Sequence, residues 1–154
     1  MTDHVRMTVS GRDDERCALT RLYCGPQTQH SYHHRVLRSQ GGVDNPETLV
    51  LLQGTGTTGV HGWVHAHPAS ARLLGYLVPS WGDPAVWPVW RYDGLGRRGW
   101  CRQLPDGYLE RVPVDAVVRF HSTGADATKA GDALVGAIGE ARALVARLGG
   151  DFVD

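Results

Sequence analysis

The feature that most constrains this chain is a four-residue apolar run, Leu49-Val50-Leu51-Leu52, set between two loop-forming stretches with histidines on both sides. Residues 39–46 (SQGGVDNP) and 54–59 (GTGTTG) are loops by composition. The run between them is too short for a helix and suits a buried strand. A short strand over residues 31–37 precedes it, carrying His33 and His34. Residues 61–74 follow and read as a helix, with Pro68 forcing a break or two short segments because its ring clashes with the preceding turn. Gly75 is the expected stop.

Six of the eight histidines lie between residues 30 and 67. Neighbours in a strand point to opposite faces, so His33 and His34 meet different partners. His61 and His65, four apart on a helix, share one face. Three imidazoles for a metal and one left over as a base suit metal-assisted hydrolysis. Either pair alone is a weak signal; the order of all four is the informative one. His30 and His67 read as surface or supporting residues, with His67 a fallback ligand if Pro68 distorts the helix. His121 is expected only to hydrogen-bond locally. Arg35 and Arg38 lie beside the histidine pair and are suited to hold phosphates, since arginine donors form a rigid fork.

The remainder divides into a polar arm over residues 1–16, read as frayed, and a Trp- and Pro-rich region over 76–101. Within that region, residues 91–100 read as a hairpin with a Gly-rich turn. Arg91, Arg97, Arg98 and Arg102 surround Trp90 and Trp100, which either grip single strands or belong to a hairpin with buried tryptophans. A turn at 105–107, a short strand around 114–118 and a long amphipathic helix over 126–148 complete the chain, with residues 122–125 separating the last two. The helix stripe of Ala130, Leu134, Ile138, Ala141, Val145 and Leu148 serves either the core or a dimer interface. At 154 residues the chain can build one core. Zero formal charge counts mildly against a nucleic-acid partner but leaves a local basic patch open. There is no signal-peptide core, no stretch of membrane-spanning length and no disulfide framework among Cys17, Cys24 and Cys101, so a cytoplasmic protein is expected.

The segment HHRVLRSQGGVDNPETLVLLQGTGTTGVHGWVHAHPASA resembles the core of the HNH endonucleases, the ββα-metal nucleases. It looks most like the small stand-alone HNH proteins of actinobacteria and their phages, as do the downstream GYLVP segment, the DPA and PV segments and the Gly-Trp hairpin. The resemblance spans residues 17–104 and leaves 105–154, a short strand and terminal helix, outside it. It implies an α+β fold: a ββα-metal core with a Trp-rich β-hairpin extension and a C-terminal helix. It implies that His33, His61 and His65 hold one divalent ion (Mg²⁺, Mn²⁺, Ni²⁺ or Zn²⁺), that His34 is the general base, and that DNA is cut to leave a 5′-phosphate. A homodimer, or a phage or host protein partner, is also open, and a phage-encoded protein would act in the host cytoplasm.

Two departures from the family pattern matter. The cysteine pairs that hold a second, structural zinc in many relatives are reduced to Arg21 with Cys24, and Gln53 with Val60. Structural zinc is therefore expected to be absent, with Val60, Tyr23 and the tryptophans packing in its place. Thr48 stands where an asparagine usually orients the base, with Asn45 as a compensating residue. The alternative function is a non-cleaving HNH-fold protein that binds DNA or a protein. A different metal hydrolase or a cysteine nucleophile has less in its favour.

Overall fold

Leu49–Gln53 form the strand expected of the apolar run, and Leu49 to Leu52 are completely buried. The computed structural model describes residues 1–122 and 126–150. Strand β1 (His30–His34) pairs antiparallel with this strand, β2, in a register that sets His33 opposite Val50 and His34 opposite Leu49. Burial of four consecutive residues requires cover on both faces of the pair. Helices packed against β2 provide it: α1 (Asp3–Arg12) and α2 (Gly59–Ala66), whose Val60, Trp63 and Val64 are buried.

Pro68 acts as expected. Helix α2 stops at Ala66, His67 leaves the helical conformation at φ −128° and ψ 62°, and α3 (Pro68–Leu73) restarts with the proline in its first turn, where a missing N–H costs no helical bond. Gly75 ends this helical pair at φ 84°, with a side-chain carbon there placed 2.0 Å from the Pro88 carbonyl oxygen. Only glycine permits both.

The Trp-rich region forms a second antiparallel sheet: β3 (Val89–Tyr92), β4 (Arg98–Gln103) and β5 (Leu109–Arg111), with β4 central. Trp90 faces Trp100 across the hairpin, and both are buried. β5 was not anticipated, and the strand expected around 114–118 is instead helix α4 (Val114–His121). Its valines suggest a strand, but Pro113 caps it and Asp115 pairs with Arg119 one turn on at 2.8 Å. Val117 points into the core while Val114 stays exposed. Helix α5 (Ala127–Leu148) buries Leu134, Ala137, Ala141, Leu144 and Val145 and packs on α3 and α4. Its apolar stripe thus serves the core. Residues 123–125, expected to separate α4 and α5, lie outside the described residues.

The N-terminal segment is not the frayed arm its polarity suggested. Thr2 caps α1 by accepting from the Val5 N–H at 3.3 Å, and Val9 is fully buried. The end of α1 carries Arg12 and Asp13 into the interior. Asp13 Oδ1 accepts from Arg12 Nε at 2.6 Å and from an Arg91 guanidinium nitrogen at 2.7 Å; Oδ2 accepts from the Leu51 N–H at 3.0 Å. Arg91 also donates to the Gln103 side chain at 2.7 Å. One buried carboxylate therefore ties α1, β2 and the second sheet together.

Candidate metal centre

The packing of α2 across the β1–β2 pair brings three histidines from distant positions together. Strand alternation places Ser31 and His33 on the face that α2 covers, and the i,i+4 spacing turns His61 and His65 toward them. Ring centroids are 5.0 Å apart for His33–His61, 5.5 Å for His33–His65 and 4.9 Å for His61–His65. One ligand atom from each lies within 4.8 Å of the others. The Nε2 atoms of His61 and His65 are 3.1 Å apart. Two imidazole nitrogens on one ion, at metal–nitrogen distances of about 2.0–2.1 Å, lie about 2.8–3.4 Å apart for angles between octahedral and tetrahedral. This histidine cluster is capable of coordinating a divalent metal ion.

Hydrogen bonds choose the ligand atom on two of the rings. His33 Nε2 is 2.7 Å from the Tyr76 carbonyl, which can only accept, so Nε2 carries the proton and Nδ1 keeps its lone pair. Ser31 Oγ donates to the Gly54 carbonyl at 3.0 Å and so accepts from His61 Nδ1 at 2.9 Å. That leaves His61 Nε2 as the ligand atom. Burial pushes His33 down to about 3, and burial with the neighbouring His65 pushes His61 down to about 4. Both rings are therefore neutral near pH 7, the form a metal requires.

Ser31 is thus a second-layer residue that the sequence did not flag. Ser31→Ala is expected to weaken Zn²⁺ or Mn²⁺ binding roughly 10–100-fold, the usual cost of losing a ligand's supporting hydrogen bond. Isothermal titration would read this, and unchanged affinity would show that another group holds the His61 tautomer.

His34, the expected base, lies outside the three-histidine cluster. Its Nε2 is 2.7 Å from Asp44 Oδ1. Arg38 Nε also approaches His34 Nε2 at 3.3 Å, but that nitrogen cannot both donate to the carboxylate and accept from Arg38. The shorter contact to a charged acceptor decides, so the proton is on Nε2 and the lone pair on Nδ1. The Met1 amine, His34 and Arg38 together hold Asp44 well below the usual carboxylate range. Arg38 is exposed and donates to both Asp44 oxygens at 3.0 Å.

Asp44 takes the place expected of Thr48. Thr48 is buried, and no hydrogen bond among the described residues joins its hydroxyl to His34. Asn45 does secure the loop, its Oδ1 accepting from the Thr48 N–H at 3.2 Å. Asp44 escaped notice because, in sequence, it is one acidic residue in a turn-rich loop.

Arg35 is a correction. It was expected to hold phosphate, yet it is fully buried. Its guanidinium donates to the carbonyls of Gly75 at 2.7 Å, Glu47 and Pro84 at 2.9 Å and Trp87 at 2.8 Å. Strand alternation alone could not reveal this, because the acceptors come from loops distant in sequence. Lysine has three donors from one point and cannot serve four spread acceptors. Arg35→Lys is therefore expected to destabilise the fold by about 2 kcal/mol, measured by urea unfolding. A phosphate-binding arginine would tolerate that change.

The other candidates also find their places. His67 Nδ1 contacts the Trp63 carbonyl at 3.1 Å and its ring stacks on Trp63, apart from the cluster. His121 does not make the local hydrogen bond expected of it: its Nε2 is buried without a partner among the described residues. Cys17, Cys24 and Cys101 are buried free thiols, and burial pushes Cys24 up to about 12, which removes it as a nucleophile at neutral pH. Gln53 Oε1 accepts from the Val60 N–H at 3.3 Å, while the Val60 side chain is buried. Tyr23 does not replace zinc by packing, since it is 47% exposed. The hairpin arginines are engaged: Arg91 and Arg98 are buried, Arg97 pairs with Asp93 and Arg102 with Glu110.

These features define a small α+β domain with a histidine cluster able to bind a metal ion. Among the described residues, no helix is long and apolar enough to cross a membrane. No protein-family model matches the chain, no curated protein matches it, and no solved structure matches it.

Proposed function

We propose that this protein is a metal-dependent DNA endonuclease of the HNH type, with β1, β2 and α2 as the ββα-metal unit inside a domain spanning residues 17–104. The observation that carries this reading is the meeting of His33, His61 and His65; His34, next to His33 in the chain, has its tautomer set by a carboxylate. His33 Nδ1 and Nε2 of His61 and His65 would hold one divalent ion. When bound, that ion supplies positive charge to the scissile phosphate and the leaving 3′-oxygen.

The chain's own groups perform the rest. His34 Nδ1 takes a proton from the attacking water. Asp44 keeps the proton on Nε2 and stabilises the imidazolium that forms. Arg38, exposed beside this pair, offers its remaining donors to a DNA phosphate. The test is supercoiled plasmid incubated with the purified protein and Mg²⁺, Mn²⁺, Ni²⁺ or Zn²⁺. Nicking that a chelator stops is expected; intact plasmid with every metal would overturn the reading.

A further inference from the structure

The tryptophans of the hairpin are buried, but the loop before it carries an exposed one. Trp81 is 81% exposed. Its ring lies 5.9 Å from that of Trp87 at an interplanar angle of 60°, and Trp87 meets Phe120 edge-on at 4.9 Å. With His121 and with Arg72 and Leu73 of α3, these rings line an open cleft of about 650 Å³. A tryptophan this exposed leaves a large π surface in water, which marks a contact site for a ligand or partner.

The charges around the cleft narrow the ligand class. Burial lowers the pKa of His121, so Arg72 is the cation at neutral pH. Its guanidinium makes no ion pair among the described residues, and no described carboxylate lines the cleft. Aromatic walls without a carboxylate disfavour a quaternary ammonium or cationic peptide. Aromatic walls with one uncommitted guanidinium fit a flat π system tethered to an anion. A nucleotide is that combination, and every base offers a π face.

The cleft is linked to the histidine site through the chain and through hydrogen bonds. Helix α3 follows the metal-ligand helix α2 after the single residue His67. Trp87 Nε1 donates to the Arg72 carbonyl at 3.3 Å, and the Trp87 carbonyl accepts from Arg35, the neighbour of His34.

We propose that this cleft binds an unpaired nucleobase, stacked on Trp81 with its phosphate on Arg72, so that the protein holds single-stranded or frayed DNA next to the cutting site. This rests on the nucleic-acid reading of the histidine site but is tested separately from it. Binding of a labelled oligothymidylate and of a blunt duplex is measured by fluorescence anisotropy in chelator, where no cutting occurs. The single strand is expected to bind more tightly than the duplex. Trp81→Ala should weaken strand binding roughly five- to tenfold, and Trp81→Phe should retain most of it. Arg72→Ala should weaken it and flatten its salt dependence.

Equal strand affinity for Trp81→Ala and the unchanged protein would overturn the proposal, as would preference for the duplex. A change confined to sedimentation, with strand binding unaltered, would make the face a self-association surface and overturn it too. Trp81-dependent strand binding without plasmid nicking would uphold this site and sink the cleavage reading. Nicking without Trp81-dependent binding would do the reverse.

Discussion

His34→Ala is expected to lower the rate of metal-dependent plasmid nicking by about 10²–10⁴-fold, the range over which a positioned general base contributes, while the protein stays folded and still binds metal. The separation follows from geometry. The ring of His34 bonds to Asp44 and does not belong to the cluster of His33, His61 and His65. Its removal opens no core cavity, because the side chain is only partly buried. Initial nicking rates, Mn²⁺ titration calorimetry and a thermal melt on the same sample separate the possibilities. A variant that nicks at the original rate would refute His34 as the base. A variant that loses metal binding would show that His34 supports the ligands instead. His61→Ala provides the contrast: it should lose metal binding and cutting together.

Asp13→Ala is expected to cost about 3–5 kcal/mol of folding stability, the penalty for breaking a buried charge cluster by removing one partner. The carboxylate is the shared acceptor for Arg12, Arg91 and the Leu51 N–H, so its loss strands two guanidinium groups and a backbone donor. Burial alone would raise the pKa of Asp13, but the Arg12 and Arg91 charges outweigh it and hold the group down to about 2. Because the folded-state pKa is depressed, the stability from this ionisation is complete above the unfolded value near 3.8 and is lost as pH falls through about 2. Urea unfolding at neutral pH and at pH 3 tests both statements. A loss below about 1 kcal/mol for the alanine variant would mean that the network is no more than a surface pair.

Much of the site's framework was legible in the chain. The turn residues on either side of Leu49–Leu52 limited the run to a strand, and Pro68 required two helical segments. Both signals are local: they act through the backbone of the residue that carries them or its immediate neighbours. The i,i+4 spacing of His61 and His65 likewise needs only helix geometry to place both rings on one face. Ser31, Asp44 and the true role of Arg35 were not legible. Each is defined by a partner more distant in sequence: His61 for Ser31, His34 for Asp44, and the carbonyls of residues 47, 75, 84 and 87 for Arg35. The first helix was missed for a related reason. Arg12 and Asp13 look like surface residues until packing brings Arg91 of the second sheet to share the Asp13 carboxylate in the core.

By itself, then, the sequence determined the order of elements from β1 to α3 and the faces on which the four histidines stand, since periodicity and turn chemistry are properties of neighbouring residues. Only the tertiary structure decided which histidines meet, which nitrogen of His33, His34 and His61 keeps its lone pair, and which arginines remain free for a phosphate. Those outcomes depend on hydrogen-bond partners that packing brings together. An arginine has the same letter whether its guanidinium is held by four carbonyls, as in Arg35, or lies exposed on a helix beside an aromatic cleft, as in Arg72.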